Sequence, residues 1–458
     1  MTHHTVLPRG VLADGVLAHG VLADGVLAHG VLADGVLAHG AFPHGVLAHG
    51  VFLHGALAHG VGSSADLPLP FDLVLQAGAA TVVLSFLISA FWWREPRLAA
   101  TEPRPLQAGH LLRGAVLVLT LYLTGNALLG PRGPENPAAH ALFVWLWVGL
   151  IPLSVALGPV WRAVNPLRTL FGLLRRLLGH RLPRHGLRPL PPGRAMGTWP
   201  AAAFLLGFVW FELAAPHHGD PVAVGSFLIL YAVSQLALAA LRGEDWFARG
   251  DCFEVYSELA GRLSPYRWRR PLAGLIAPLP SGGVGMAAFL AVWWGSTVFD
   301  SASAAPFWTG FVQRAGTPIA WATAGLVLLC LLVLLAVRWT SGTLDVTASL
   351  IPIAVGYTLA HYLTLLLVEA PRGVLLLIQQ WGLVTGAHWN VTPSPVAIAA
   401  AQITLILIGH VFGVIVAHDR ALAADPGRPP LAVLADELPM VLFMIGCTWA
   451  GLFLLFVR

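Results

Sequence analysis

The chain has 458 residues, of which 57% are hydrophobic and only 10% charged. Soluble domains carry roughly 25% charged residues, so this composition excludes a soluble globular enzyme. It points to an all-α, polytopic transmembrane helix bundle. The formal net charge of +4 is carried by arginine alone. The three cysteines, Cys252, Cys330 and Cys447, have neither metal nor disulfide spacing.

Residues 11–60 repeat a five-residue unit, G-V-L-A-[D/H]. Asp14, Asp24 and Asp34 alternate with His19, His29 and His39, after which His44, His49, His54 and His59 take over. Each apolar run is too short to cross a bilayer as a helix. The segment 1–60 therefore reads as a low-complexity His/Gly-rich tail, and 61–458 as the transmembrane domain. Regularly spaced neutral imidazoles suit zinc, copper or nickel, so the tail is a candidate collector of divalent metal.

From residue 71 onward apolar runs alternate with breaks rich in Pro, Gly and Arg. Ten spans are predicted, at 71–93, 111–130, 139–158, 200–215, 221–241, 284–300, 318–338, 347–369, 396–417 and 438–457. The loops 94–113, 161–199, 242–272, 338–346 and 418–437 hold 21 of the 26 arginines. The positive-inside rule then places those loops in the cytoplasm and both termini outside. Arginines that directly flank spans fit anionic membrane lipid as a partner, and do not fit nucleic acid.

Two of the Arg-rich loops carry helix signals. Asn165 followed by Pro166 reads as a cap with proline at the first helical position. Leu167, Leu170, Phe171, Leu174, Leu177 and Leu178 then form one face of a helix lying on the inner membrane surface. Asp251 and Glu254 have capping-box spacing ahead of a short helix through Leu263. Neither loop has a glycine-rich phosphate cradle.

The most informative span is 347–369. Its middle carries Thr358, His361, Tyr362 and Thr364, and Glu369 closes it. An ionisable group at that depth costs about 2–3 kcal/mol on insertion scales, so it needs a partner or a task. Glu212 and His410 are further ionisable residues within spans. At the predicted outer surface, His217, His218 and Asp220 follow the fourth span, while Asp300 and His388 lie in other outer loops or at their edges. Histidines and carboxylates of this kind can hold a zinc-like ion with an open position for water. His217, His218, Asp220, His361 and His410 are therefore the candidate metal ligands. No GxSxG, Walker or CxxCH motif is present.

Several stretches resemble the fenitrothion hydrolase-like family of polytopic, mostly actinobacterial membrane proteins. They are AHGVGSSADLPLPFDLVLQAGAATVVLSF (58–86), VWRAVNPLRTL (160–170), WWGSTVFD (293–300), YTLAHYLTLLLVE (357–369) and GHVFGVIVAHDRA (409–421). The resemblance implies a multi-pass protein of the bacterial plasma membrane. It also implies metal-assisted hydrolysis of a small-molecule aryl phosphotriester or thiophosphotriester, and offers His59, Asp300, His361, His410 and His418 as motif positions. With the intramembrane polar stripe, it makes His361, Asp300 and Glu369 the candidate catalytic residues. The alternative is a carrier for a metal ion or small solute, with His361 and His410 along its path and the His-rich tail as collector.

Overall fold

The computed structural model describes residues 67, 70–189, 197–279, 283–341, 347–424 and 430–456. The repeat, His59 and parts of four loops lie outside them. The described residues belong to one compact unit, Leu53–Arg458. Among them every regular element is helical, as the apolar runs demand, since a helix satisfies its own backbone within lipid.

In chain order the principal helices begin with α1, Phe71–Trp92, α2, His110–Leu129, and α3, His140–Leu157. They continue with α4, Pro166–Leu178, α5, Trp199–Leu213, α6, Pro221–Arg242, α7, Cys252–Ala260, and α8, Val284–Ser303. Next come α9, Pro306–Ala315, α10, Pro318–Ser341, α11, Leu350–His361, and α12, Leu363–Gln380. The last two are α13, Pro395–Ala424, and α14, Pro430–Phe456. Eight of the described helices are long and apolar enough to cross a membrane: α1, α2, α3, α6, α10, α12, α13 and the Glu437–Phe456 part of α14. The expected spans at 200–215 and 284–300 differ from these. Helix α5 is apolar but has only 15 residues. Helix α8 is the centre of the bundle, buried along nearly its whole length and packed against α5, α10 and α11.

The expected single span at 347–369 is corrected. The chain leaves α11 at Tyr362 (φ −97°, ψ 13°) and restarts as α12. Successive side chains on an α-helix diverge by about 100°, yet His361 and Tyr362 both reach the same carboxylate oxygen, Oδ2 of Asp300.

The Asn165 cap is as expected: its Oδ1 accepts from the Leu167 amide at 2.9 Å. Of the predicted apolar face of α4, Leu167 and Phe171 are buried, whereas Leu177 and Leu178 are exposed. Asp251 caps α7, accepting from the Phe253 and Glu254 amides. Glu254 does not complete a capping box, because its carboxylate goes to Arg168 at 2.6 and 2.7 Å. Helix α7 is not a surface loop. It inserts among α3, α5 and α11, and most of it is buried.

Helices α11 and α13 meet backbone to backbone. A Cβ on Gly409 would lie 2.5 Å from the Pro352 carbonyl oxygen, and one on Gly356 would lie 2.5 Å from that of Leu405. Only glycine permits that approach.

Candidate functional site

Three helices end at the site. Glu212 lies in the last turn of α5, Asp300 three residues before the end of α8, and His361 closes α11. His361 Nε2 is 2.8 Å from Asp300 Oδ2, and the Tyr362 hydroxyl donates to that oxygen at 2.8 Å. On the other side of the ring, His361 Nδ1 is 3.0 Å from Ser301 Oγ, which is 2.9 Å from the Tyr357 hydroxyl. Thr358 Oγ1 accepts from the Trp293 indole N–H at 3.0 Å. Apart from Glu212, which is half-buried, all these residues are buried. In such surroundings an unpaired polar group is expensive, and here the imidazole is bonded at both nitrogens.

An aromatic wall stands beside this network. Trp147 stacks on Tyr256 with centroids 4.7 Å apart, and Tyr256 meets Trp293 edge-on at 4.5 Å. Phe208 packs on Trp147 at 5.2 Å. Glu212 is one helical turn beyond Phe208 on the same face of α5, which puts its carboxylate next to the Trp147–Tyr256 stack. Burial, and then the charge of Asp300, disfavour the ionised form of Glu212, whose charge in turn acts on the Tyr256 hydroxyl. Burial first, and that charge second, hold the Tyr256 hydroxyl protonated well above the ordinary tyrosine range.

Toward the Arg-rich side, Asp251 anchors a second buried network. It accepts from the Tyr231 hydroxyl at 2.7 Å, from Asn165 Nδ2 at 2.7 Å and from the Trp161 indole at 3.2 Å. Burial, and then the nearby charge of Glu254, push the Asp251 carboxyl up to about 6. The three donors pull in the opposite direction.

The remaining expected residues sit elsewhere. Glu369 faces His140 Nε2 at 2.9 Å and Arg372 at 3.3 Å, instead of extending the stripe from His361. His140 opens the π-helical part of α3, His140–Val148. His217 takes a left-handed backbone (φ 55°), the buried His218 has Nδ1 3.2 Å from the Ala215 carbonyl, and Asp220 caps α6. His410 Nδ1 lies 2.8 Å from the Ile406 carbonyl. His418 is held by Glu437 and the Trp93 carbonyl. Among the described residues no three His, Cys, Asp or Glu gather as a metal-binding group. His217, His218, Asp220, His361 and His410 therefore do not form one centre.

Sequence reasoning singled out His361 and Asp300, which the fold joins, but missed Ser301, Tyr357 and Tyr256. The spacing of Tyr357, His361 and Tyr362 was the available signal, because i and i+4 share a helix face. No protein-family model, curated protein or solved structure matches the chain.

Proposed function

We propose that this integral membrane protein is a carrier in which the His361–Asp300 pair takes up and releases a proton as a small solute or ion moves. The observation that carries the reading is that His361 keeps a partner at both nitrogens in either protonation state. When neutral, it donates from Nε2 to Asp300 and accepts at Nδ1 from the Ser301 hydroxyl. When protonated, it donates from Nδ1 to Ser301 Oγ, and the Ser301 hydroxyl turns to the Thr297 carbonyl, 3.2 Å away. One hydroxyl rotation serves both states, which is the property a proton relay needs. The test is reconstitution into liposomes loaded with a pH-sensitive dye, with metal ions and small organic ions added outside. A solute-dependent pH change that H361Q and D300N abolish is the expected result; no dye response to any of them overturns the reading.

A second reading is favoured by one observation. Ser301, His361 and Asp300 are linked in the order nucleophile, base and orienting carboxylate. This order supports the hydrolase of aryl phosphotriesters or thiophosphotriesters implied by the resemblance to the fenitrothion hydrolase-like family. Covalent labelling of Ser301 by a serine-directed phosphonate, lost in S301A and H361Q, would select it.

The bacterial plasma membrane, with the Arg-rich loops inside and both termini outside, is part of the same proposal. The arginine asymmetry supports it.

A further inference from the structure

We propose that Glu212, Asp300 and Tyr256 form a binding site for a small monovalent cation. The inference rests on the carrier reading and names the class of its cargo.

Two carboxylates inside an apolar bundle are costly, through burial first and mutual repulsion second, unless one takes a proton or a positive ion comes between them. Asp300 is supplied by His361 and Tyr362. Glu212 is not: among the described residues its buried Oε2 has no hydrogen-bond partner. The Tyr256 hydroxyl points independently to a ligand. Tyr256 is fully buried, its hydroxyl has no partner among the described residues, and it lies within reach of the Glu212 charge without bonding to it. A phenolic oxygen with free lone pairs and a carboxylate oxygen, separated by more than a hydrogen bond, form a pair of oxygen donors for a cation.

One further feature favours positive charge. Helices α5, α8 and α11 all end here, and each helix C-terminus carries about half a negative charge.

The test uses the full-length, detergent-purified protein. Its melting temperature is followed while Na⁺, K⁺ or methylammonium chloride replaces N-methyl-D-glucamine chloride at fixed ionic strength. Because a ligand of the folded state stabilises it by mass action, a saturable rise with at least one of the three ions is expected. E212Q and Y256F, each first shown to melt cooperatively in the glucamine buffer, should weaken the apparent affinity about tenfold or more. Y256F keeps the ring stack and removes only the hydroxyl, so it remains informative if E212Q fails to fold. A wild-type protein with no saturable ion-specific rise, or a rise that neither variant weakens, overturns the proposal. H361Q separates the two readings. If it stops solute-dependent proton movement and still binds the cation, both stand. If its proton movement equals the parent's while cation binding still needs Glu212, the cation site stands and the proton role of His361 falls.

Discussion

His361 Nε2 and Asp300 Oδ2 stand 2.8 Å apart inside the bundle, although 61 residues separate them in the chain. The pair closes α8 against α11 and places an acid beside a base where water is scarce. Its two halves need not contribute alike. H361Q can still donate to Asp300, but it cannot carry a proton. It is expected to melt close to the parent and to lose at least about tenfold in function, or ~1.4 kcal/mol. Parent-like function at matched protein amounts would assign His361 to packing alone.

Asp251 sets a pH dependence of stability whose sign follows from its environment. Its carboxyl is pushed from 3.8 up to about 6 in the folded protein, chiefly by burial and then by Glu254. The folded state therefore holds the proton more tightly than the unfolded chain does. The resulting stabilisation is complete below about pH 4 and is lost as the pH rises through about 6, about 3 kcal/mol in all. D251N has no such titration. The melting temperature of the parent minus that of D251N should therefore fall between pH 4 and pH 7. A difference that stays flat across that range would count against this account.

Arg168 and Glu254 form a two-point ion pair, with both side chains largely buried. Removing one partner strands the other charge, at a cost of about 3–5 kcal/mol. R168A and E254A should each lower the unfolding midpoint sharply, while R168M/E254M should recover much of the loss. A double variant no better than the singles would show that the pair does more than neutralise itself.

Gly409 tests the seam between α11 and α13. A methyl group there meets a backbone carbonyl, which cannot swing aside as a side chain can. G409A should cost about 1–3 kcal/mol, whereas G446A, where a Cβ would have nothing within 4 Å, should be near neutral. Thermal unfolding of the two variants side by side gives the comparison.

The arginine asymmetry predicts sidedness. A cysteine introduced at Arg188 should resist an impermeant reagent in intact cells, and one at Asp220 should react. The opposite pattern would invert the topology.

Most long spans were legible because an apolar run of about 20 residues has few other fates. The fate of α7 was not. Asp251, Glu254 and Arg168 look like surface charges when each is read alone, and the partner that permits their burial lies 86 residues away in the case of Arg168 and Glu254. The break at Tyr362 was hidden for a related reason. Neither the residue itself nor its immediate neighbours are proline or glycine, and the carboxylate that its hydroxyl reaches lies on another helix. His361 was visible as an intramembrane histidine, but Ser301 was not, since a serine in an apolar helix commonly bonds only to its own backbone.

That break has a mechanical consequence. Glycines lock α11 to α13, and the bonds from the Tyr362 amide to Thr358 and from the Leu366 amide to Tyr362 would carry a tilt of α12 back to this residue. Tyr362 is then the first contact to feel such a tilt. If its hydroxyl swings away, Asp300 drops from two of these donors to one and its affinity for any other positive partner rises. Such a joint would pass a helix angle on to the electrostatic appetite of one carboxylate through a single phenol.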